Sequence, residues 1–388
     1  MKKVLLSTVV LSVVLTGCGS DSSSSSGNSS GNSGNQDNGE NGSPAADFSS
    51  LKVNAVSREN WAYVNLDRKQ TVTLTAEQAA DSSDWHLAFR RNTVRSNGGA
   101  SGKGNVQIAV ADAQDEFYSN DKPVDNIFLN AAAGQYEADL TKVYDIAALT
   151  FVQDANKPAI KGADWYTYNR ETHTLSANTN NAWLVRHADG ATYSKFYFSS
   201  LTPQPDRTYS VELKLETQAA NTNQFAGGEQ TLAAAMSSGQ SLLCLDLDSK
   251  AKVDCDSESA NWDLRLEISR SGTGLWTNGG VFGDGNGAAF GPQTKDAASA
   301  LTSATTINGR DIKSHYSADR AESVFDSSSW YAYNLSGRHQ LKPNYRTYLI
   351  DTDKTSDASE KYTLQIINYY GLGESGTPEI RFKKVAAQ

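Results

Sequence analysis

The sequence predicts an all-β fold, built as two homologous antiparallel β-rich domains in tandem behind a disordered tether. Three observations support this reading. Past residue 48 the apolar pattern is mostly of period two, as in Tyr193 to Phe198, Tyr209 to Leu215 and Tyr362 to Ile367. That alternation is the signature of half-buried strands. An ordered set of motifs then occurs twice. Finally, the stretch before residue 48 is almost all Ser, Gly, Asn and Asp, which cannot bury enough apolar surface to offset its ordering entropy. Only short stretches, such as Glu229 to Met236 and Asp296 to Ala304, favour helix.

Taken in order, the chain opens with a positive Met1-Lys2-Lys3 and an apolar run of 12 residues from Val4 to Leu15. Such a run is too short to span a bilayer and marks a secretory signal peptide. The ending Leu15-Thr16-Gly17-Cys18 resembles the lipobox of bacterial lipoproteins, in which the signal is cut before the cysteine and that cysteine carries lipid. The resemblance implies a signal peptide over 1–17 and a lipidated Cys18. Gly19, in place of the Asp that signals inner-membrane retention, implies a lipid-anchored outer-membrane protein of open leaflet orientation. Residues 18–47 then form a flexible tether with a root-mean-square span of roughly 30 Å.

The charge balance narrows the class. The 388 residues carry 44 acidic and 35 basic side chains, a net -9 that falls to -11 once the two signal lysines are removed. An acidic chain lacks the basic face that nucleic acid requires. No apolar run reaches the roughly 18 residues of a membrane-spanning helix, so contact with the membrane is expected through lipid alone.

The repeats set the expected domain boundaries. Val64 to Val72 matches Leu245 to Val253 without a gap. Trp85-His86-Leu87 matches Trp262-Asp263-Leu264, and Asn97-Gly98-Gly99 matches Asn278-Gly279-Gly280. Trp165-Tyr166-Thr167-Tyr168-Asn169 matches Trp330-Tyr331-Ala332-Tyr333-Asn334. His173 follows Trp165 by eight residues, and His339 follows Trp330 by nine. Two domains are expected, at 48–218 and 225–388. With Cys18 lipidated in an oxidising compartment, Cys244 and Cys255 are expected to form a disulfide. A hairpin turning near Ser249-Lys250 would set 244 directly opposite 255.

This order of motifs resembles the HmuY family of bacterial heme-binding lipoproteins. The likeness includes the lipobox and polar tether, the Asn-Gly-Gly loop, Trp-Tyr-x-Tyr-Asn, and the strand pair Ala182 to Gly190 with Tyr193 to Phe198. It implies an all-β fold, capture of heme outside the cell and delivery to a TonB-dependent outer-membrane receptor. Members usually carry one domain, so the tandem form is a departure. An alternative is a non-enzymatic surface module of the same fold for a glycan or a protein.

Heme requires an axial donor such as imidazole, thioether, thiolate or phenolate. After processing only Met236 remains among the methionines, so a Met pair is excluded. The candidate ligands are His173, His187 and His339, with His173 and His187 a possible pair across one hairpin. Another metal is left open. His173 and His339 fit hydrogen-bonded turn residues equally well, and His86 and His315 read as surface or loop residues. Trp165, Tyr166, Tyr168, Trp330, Tyr331 and Tyr333 could line a flat heme pocket or fill a sheet core. No enzyme is expected. The Gly98 to Gly104 loop lacks the Lys-Ser/Thr of a P-loop, and neither a Gly-x-Ser-x-Gly elbow nor a His-Glu-x-x-His motif occurs.

Overall fold

The computed structural model describes residues 48–256, 261–270 and 272–386. The expected signal, Cys18 and the tether lie outside the described residues. The rest is mostly antiparallel sheet, assembled as two β-sandwich lobes.

In lobe I a five-stranded sheet runs in the order Ser49–Lys52, Glu379–Lys384, Lys361–Asn368, Thr347–Asp351, Gln107–Asp112. It faces a four-stranded sheet ordered Gln70–Val72, Ala62–Asn65, Leu87–Arg90, Thr93–Ser96. Alternate residues of both meet in one core, among them Val64, Leu87, Phe89, Tyr348, Leu364 and Phe382. Lobe II repeats the plan. Its five-stranded sheet is Ala226–Ala235, Tyr209–Gln218, Tyr193–Pro203, Asn181–Arg186, Ala288–Thr294, and its four-stranded sheet is Ala251–Val253, Leu242–Asp246, Leu264–Ile268, Thr273–Thr277. Phe196, Phe198, Leu213, Leu245, Leu264 and Leu275 lie in its core.

The strands do not stay within the expected segments 48–218 and 225–388. Thr347–Asp351 pairs with Gln107–Asp112, and Asn181–Arg186 pairs with Ala288–Thr294. Lobe II is therefore the continuous stretch from about 158 to 319, and lobe I joins what lies on either side of it. Each lobe takes its four-stranded sheet from one sequence half and three strands of its five-stranded sheet from the other. The physical reason is that the two halves carry the same apolar pattern, so the strands of one fit the sheet of the other. The two crossings pair with each other, Ala155–Lys157 against Arg320–Glu322.

Two local expectations also change. Ala226–Ala235 is a strand rather than a helix, with Leu232 opposite Leu213. Pairing onto a sheet edge outweighs alanine's helix preference there. In the disulfide hairpin, Cys244 sits opposite Val253, not Cys255. The bridge forms on a diagonal, with the two Cα atoms 5.3 Å apart, within the usual reach.

Each crossing is preceded by a buried aspartate. Asp154 accepts from the Ser96 backbone N–H at 3.1 Å and its hydroxyl at 2.8 Å. Asp319 accepts from Thr277 N–H at 2.8 Å and Ala159 N–H at 2.7 Å. Burial raises both acids, Asp319 to about 6. Because the unfolded carboxyl, near 3.8, releases its proton first, stability falls as pH rises from about 4 to about 6 and stays lower above. Urea unfolding at both ends of that window should show Asp319→Asn losing about 3 kcal/mol of this pH dependence. An unchanged slope would contradict the assignment.

Candidate functional site

Two hairpins carry the same side-chain construction. In lobe II, Tyr166–Asn169 pairs with Thr174–Ala177. The Asn169 side-chain oxygen accepts from Glu171 N–H at 2.8 Å and Thr172 N–H at 3.1 Å, closing the turn. His173 ends it in the left-handed region, with φ 55°, a conformation that histidine enters more readily than most residues. In lobe I, Tyr331–Tyr333 pairs with Leu341–Pro343. Asn334 accepts from His339 N–H at 2.8 Å, and His339 also has φ 55°.

The turns bring each histidine onto a tyrosine of the preceding strand. Tyr168 Oη lies 2.7 Å from His173 Nδ1, and Tyr333 Oη lies 2.9 Å from His339 Nδ1. Both tyrosines are about half exposed, at 51% and 55%, and both histidines face solvent. Below each pair a second tyrosine anchors the other strand, through Leu175 N–H to Tyr209 Oη and Leu341 N–H to Tyr370 Oη. Nε2 of each ring has no partner among the described residues, and in the tautomer whose Nδ1–H donates to the phenol oxygen it carries the lone pair. An imidazole fixed through one nitrogen and open at the other is the arrangement an axial iron ligand requires. The strand that follows His339 lines a cavity of about 310 Å³ through Gln340, Leu341 and Lys342, with Phe128, Tyr345 and Asn368 opposite, and its exposed lining is mainly polar. The exposed imidazole donor, held by its tyrosine, is the feature here that fits a heme iron.

The other candidates lie elsewhere. Trp165 and Trp330 are core residues, 0% and 1% exposed, each packed edge-on against the next tyrosine at 4.7 and 4.8 Å. Tyr166 and Tyr331 are half-buried at those contacts, and Tyr331 Oη also accepts from Asn92. His187 is buried, with Nε2 2.8 Å from Ser194 Oγ and Nδ1 2.9 Å from both Thr192 Oγ1 and an Asp248 carboxylate oxygen. Asp263 lies 3.6 Å from the same Nδ1. Burial opposes the charged ring, but the Asp248 hydrogen bond and the Asp263 and Asp248 charges hold its pKa above the ordinary value. This His-Asp-Asp cluster is the described group with metal-ligand spacing, and its ring nitrogens are already engaged. His173 and His187 thus serve separate networks rather than one bis-histidine site.

His86, read as a surface residue, is instead buried. Its Nδ1 accepts from Leu66 N–H at 3.1 Å, and burial lowers its pKa. Asp263 fills the same role in lobe II, accepting from Leu247 N–H at 2.8 Å. His315 is half-buried at the end of the short helix Ile312–His315. What the sequence reading missed is the Tyr–His pairing itself. Its signal was present, since each histidine follows the second tyrosine of its motif by five or six residues across an Asn-initiated turn.

Among families of known proteins, residues 57–214 match the HmuY family model, described as HmuY protein. No curated protein matches the chain. The matched segment begins in lobe I and ends in lobe II.

Proposed function

We propose that this chain, which belongs to the heme-binding HmuY family through residues 57–214, captures heme at the Tyr–His hairpins. His339 Nε2 and His173 Nε2 would hold the heme iron in this reading. The observation that carries it is the same phenol-to-imidazole contact at 2.7 and 2.9 Å in both lobes. Tyr168 and Tyr333 would orient the rings through this contact. Heme supplies the iron that receives the nitrogen lone pair.

The rest of the reading extends the same logic. Lipidation at Cys18 would hold the chain at the outer membrane, and a TonB-dependent receptor would take the heme onward. No described helix is long and apolar enough to cross a membrane. The chemistry proposed is binding without turnover.

Hemin titration of the processed chain tests this. A Soret band that saturates at one or two hemin per chain is expected. His339→Ala and His173→Ala should each remove one component of the band. An unchanged hemin spectrum, or a band that survives in the double variant, would overturn the reading and favour a different ligand for the fold.

A further inference from the structure

We propose that the outer face of the four-stranded sheet in lobe I binds a planar aromatic anion, at a site separate from the Tyr–His hairpins. The face turned away from the sandwich core carries a cross-strand row Val72, Tyr63, Ala88, Arg95. Trp61 and Trp85 stand beside it, with the Tyr63 and Trp85 rings 5.1 Å apart. The short helix Ala76–Asp81 closes one side with alanines, and Gly280 and Val281 of lobe II close another. Between them lies a cavity of about 400 Å³, lined mainly by apolar atoms. That is the size and character of a small-molecule site.

Lobe II supplies an internal control. Its equivalent row is Val253, Cys244, Arg265, Trp276. There the space is filled. Trp276 stacks on Phe282 at 4.0 Å, and the Arg265 guanidinium lies 5.0 Å over the same ring. By the repeat alignment the lobe I residues at the positions of Arg265 and Phe282 are Ala88 and Ser101. The fold does not require the cavity, since small residues open it in one lobe and large ones close it in the other.

The ligand's charge follows from the arginines at the rim. Arg95 is offset by Asp326, its Nη1 2.7 Å from the carboxylate. Arg320 leans toward Glu322 at 3.9 Å. Arg90 has neither offset. Half-buried, it lies 4.4 Å over the Trp61 ring and makes no hydrogen bond or ion pair with any described residue. A guanidinium placed over an indole with its donors free suits a carboxylate or sulfonate attached to an aromatic ring. The aromatic part of such a ligand would pack against Trp61, which is half-buried, with Trp85 sealed behind the Tyr63 ring.

Anilinonaphthalene sulfonate is the probe, with its uncharged relative N-phenylnaphthylamine as comparison. The processed chain should bind the sulfonate saturably, with quenching of tryptophan emission. Ala88→Arg, which installs the lobe II residue, and Ser101→Phe should each weaken binding at least tenfold. Two filling variants guard against one failing to fold, and urea midpoints verify that each is native. Arg90→Gln should weaken the sulfonate about tenfold, the loss of one charged hydrogen bond, and leave the uncharged dye unchanged. No saturable binding, or unchanged affinity in both filling variants, overturns the site. Equal effects of Arg90→Gln on both dyes overturn the assignment of an anion.

Discussion

Cleavage of the chain within the exposed stretch from Ala219 to Gln224 should leave its two halves bound to each other. The cut falls between the two sequence repeats, where contiguous domains would separate. Here each half holds strands that complete the other half's sheets, as the Thr347–Asp351 ladder with Gln107–Asp112 and the Asn181–Arg186 ladder with Ala288–Thr294 require. Both cores would be exposed on separation, and their apolar area is of the kind that makes permanent interfaces. The disulfide joins Cys244 to Cys255 within the second half, so it does not tether the pieces. A protease site placed at Thr222 provides the measurement. The nicked protein should elute at the mass of the intact chain and separate only in denaturant. Two independently folded monomers after cleavage would refute the interleaved lobes.

Replacing Trp165 or Trp330 with alanine should cost about 3–5 kcal/mol of stability each. Both side chains are sealed in the interior, Trp165 against Phe198 at 5.3 Å and Trp330 with its indole N–H donating to the Asn92 carbonyl at 3.2 Å. The cost combines lost transfer energy with an unfilled cavity. Urea midpoints should drop for both variants, while hemin affinity per folded molecule holds. A retained midpoint together with lost hemin binding would instead make these tryptophans part of a heme pocket.

Much of the fold was legible in the residues, and the reasons are local. Tyr209 to Leu215 alternates in sequence and alternates in burial, because the period of a strand is written in the side chains of that strand alone. The repeat of Val64 to Val72 in Leu245 to Val253 recurs as two four-stranded sheets of the same order. Which copy pairs with which was not legible. When two halves carry interchangeable apolar strands, nothing in their periodicity distinguishes Gln107–Asp112 joined to its own repeat from Gln107–Asp112 joined to Thr347–Asp351. The site divides in the same way. His173 and His339 could be singled out by position, and their tyrosines by motif. The hydrogen bond between them depends on a left-handed turn residue that sequence marks only weakly. His187 and His86 were harder, since an imidazole between carboxylates and backbone donors resembles a surface histidine until the neighbouring strands are assembled.

The pairing of Ser49–Lys52 with Glu379–Lys384 carries a consequence for the order of the chain. It sets the first described strand beside the last, within one hydrogen-bonded ladder. A short connection between those ends, with new termini opened at the crossing after Lys157, would yield a circular permutant. That permutant would read lobe II first and lobe I second, each as one uninterrupted stretch. The interleaving of the natural order is thus a matter of where the polypeptide is opened, and the two sandwiches themselves would be unaltered by it.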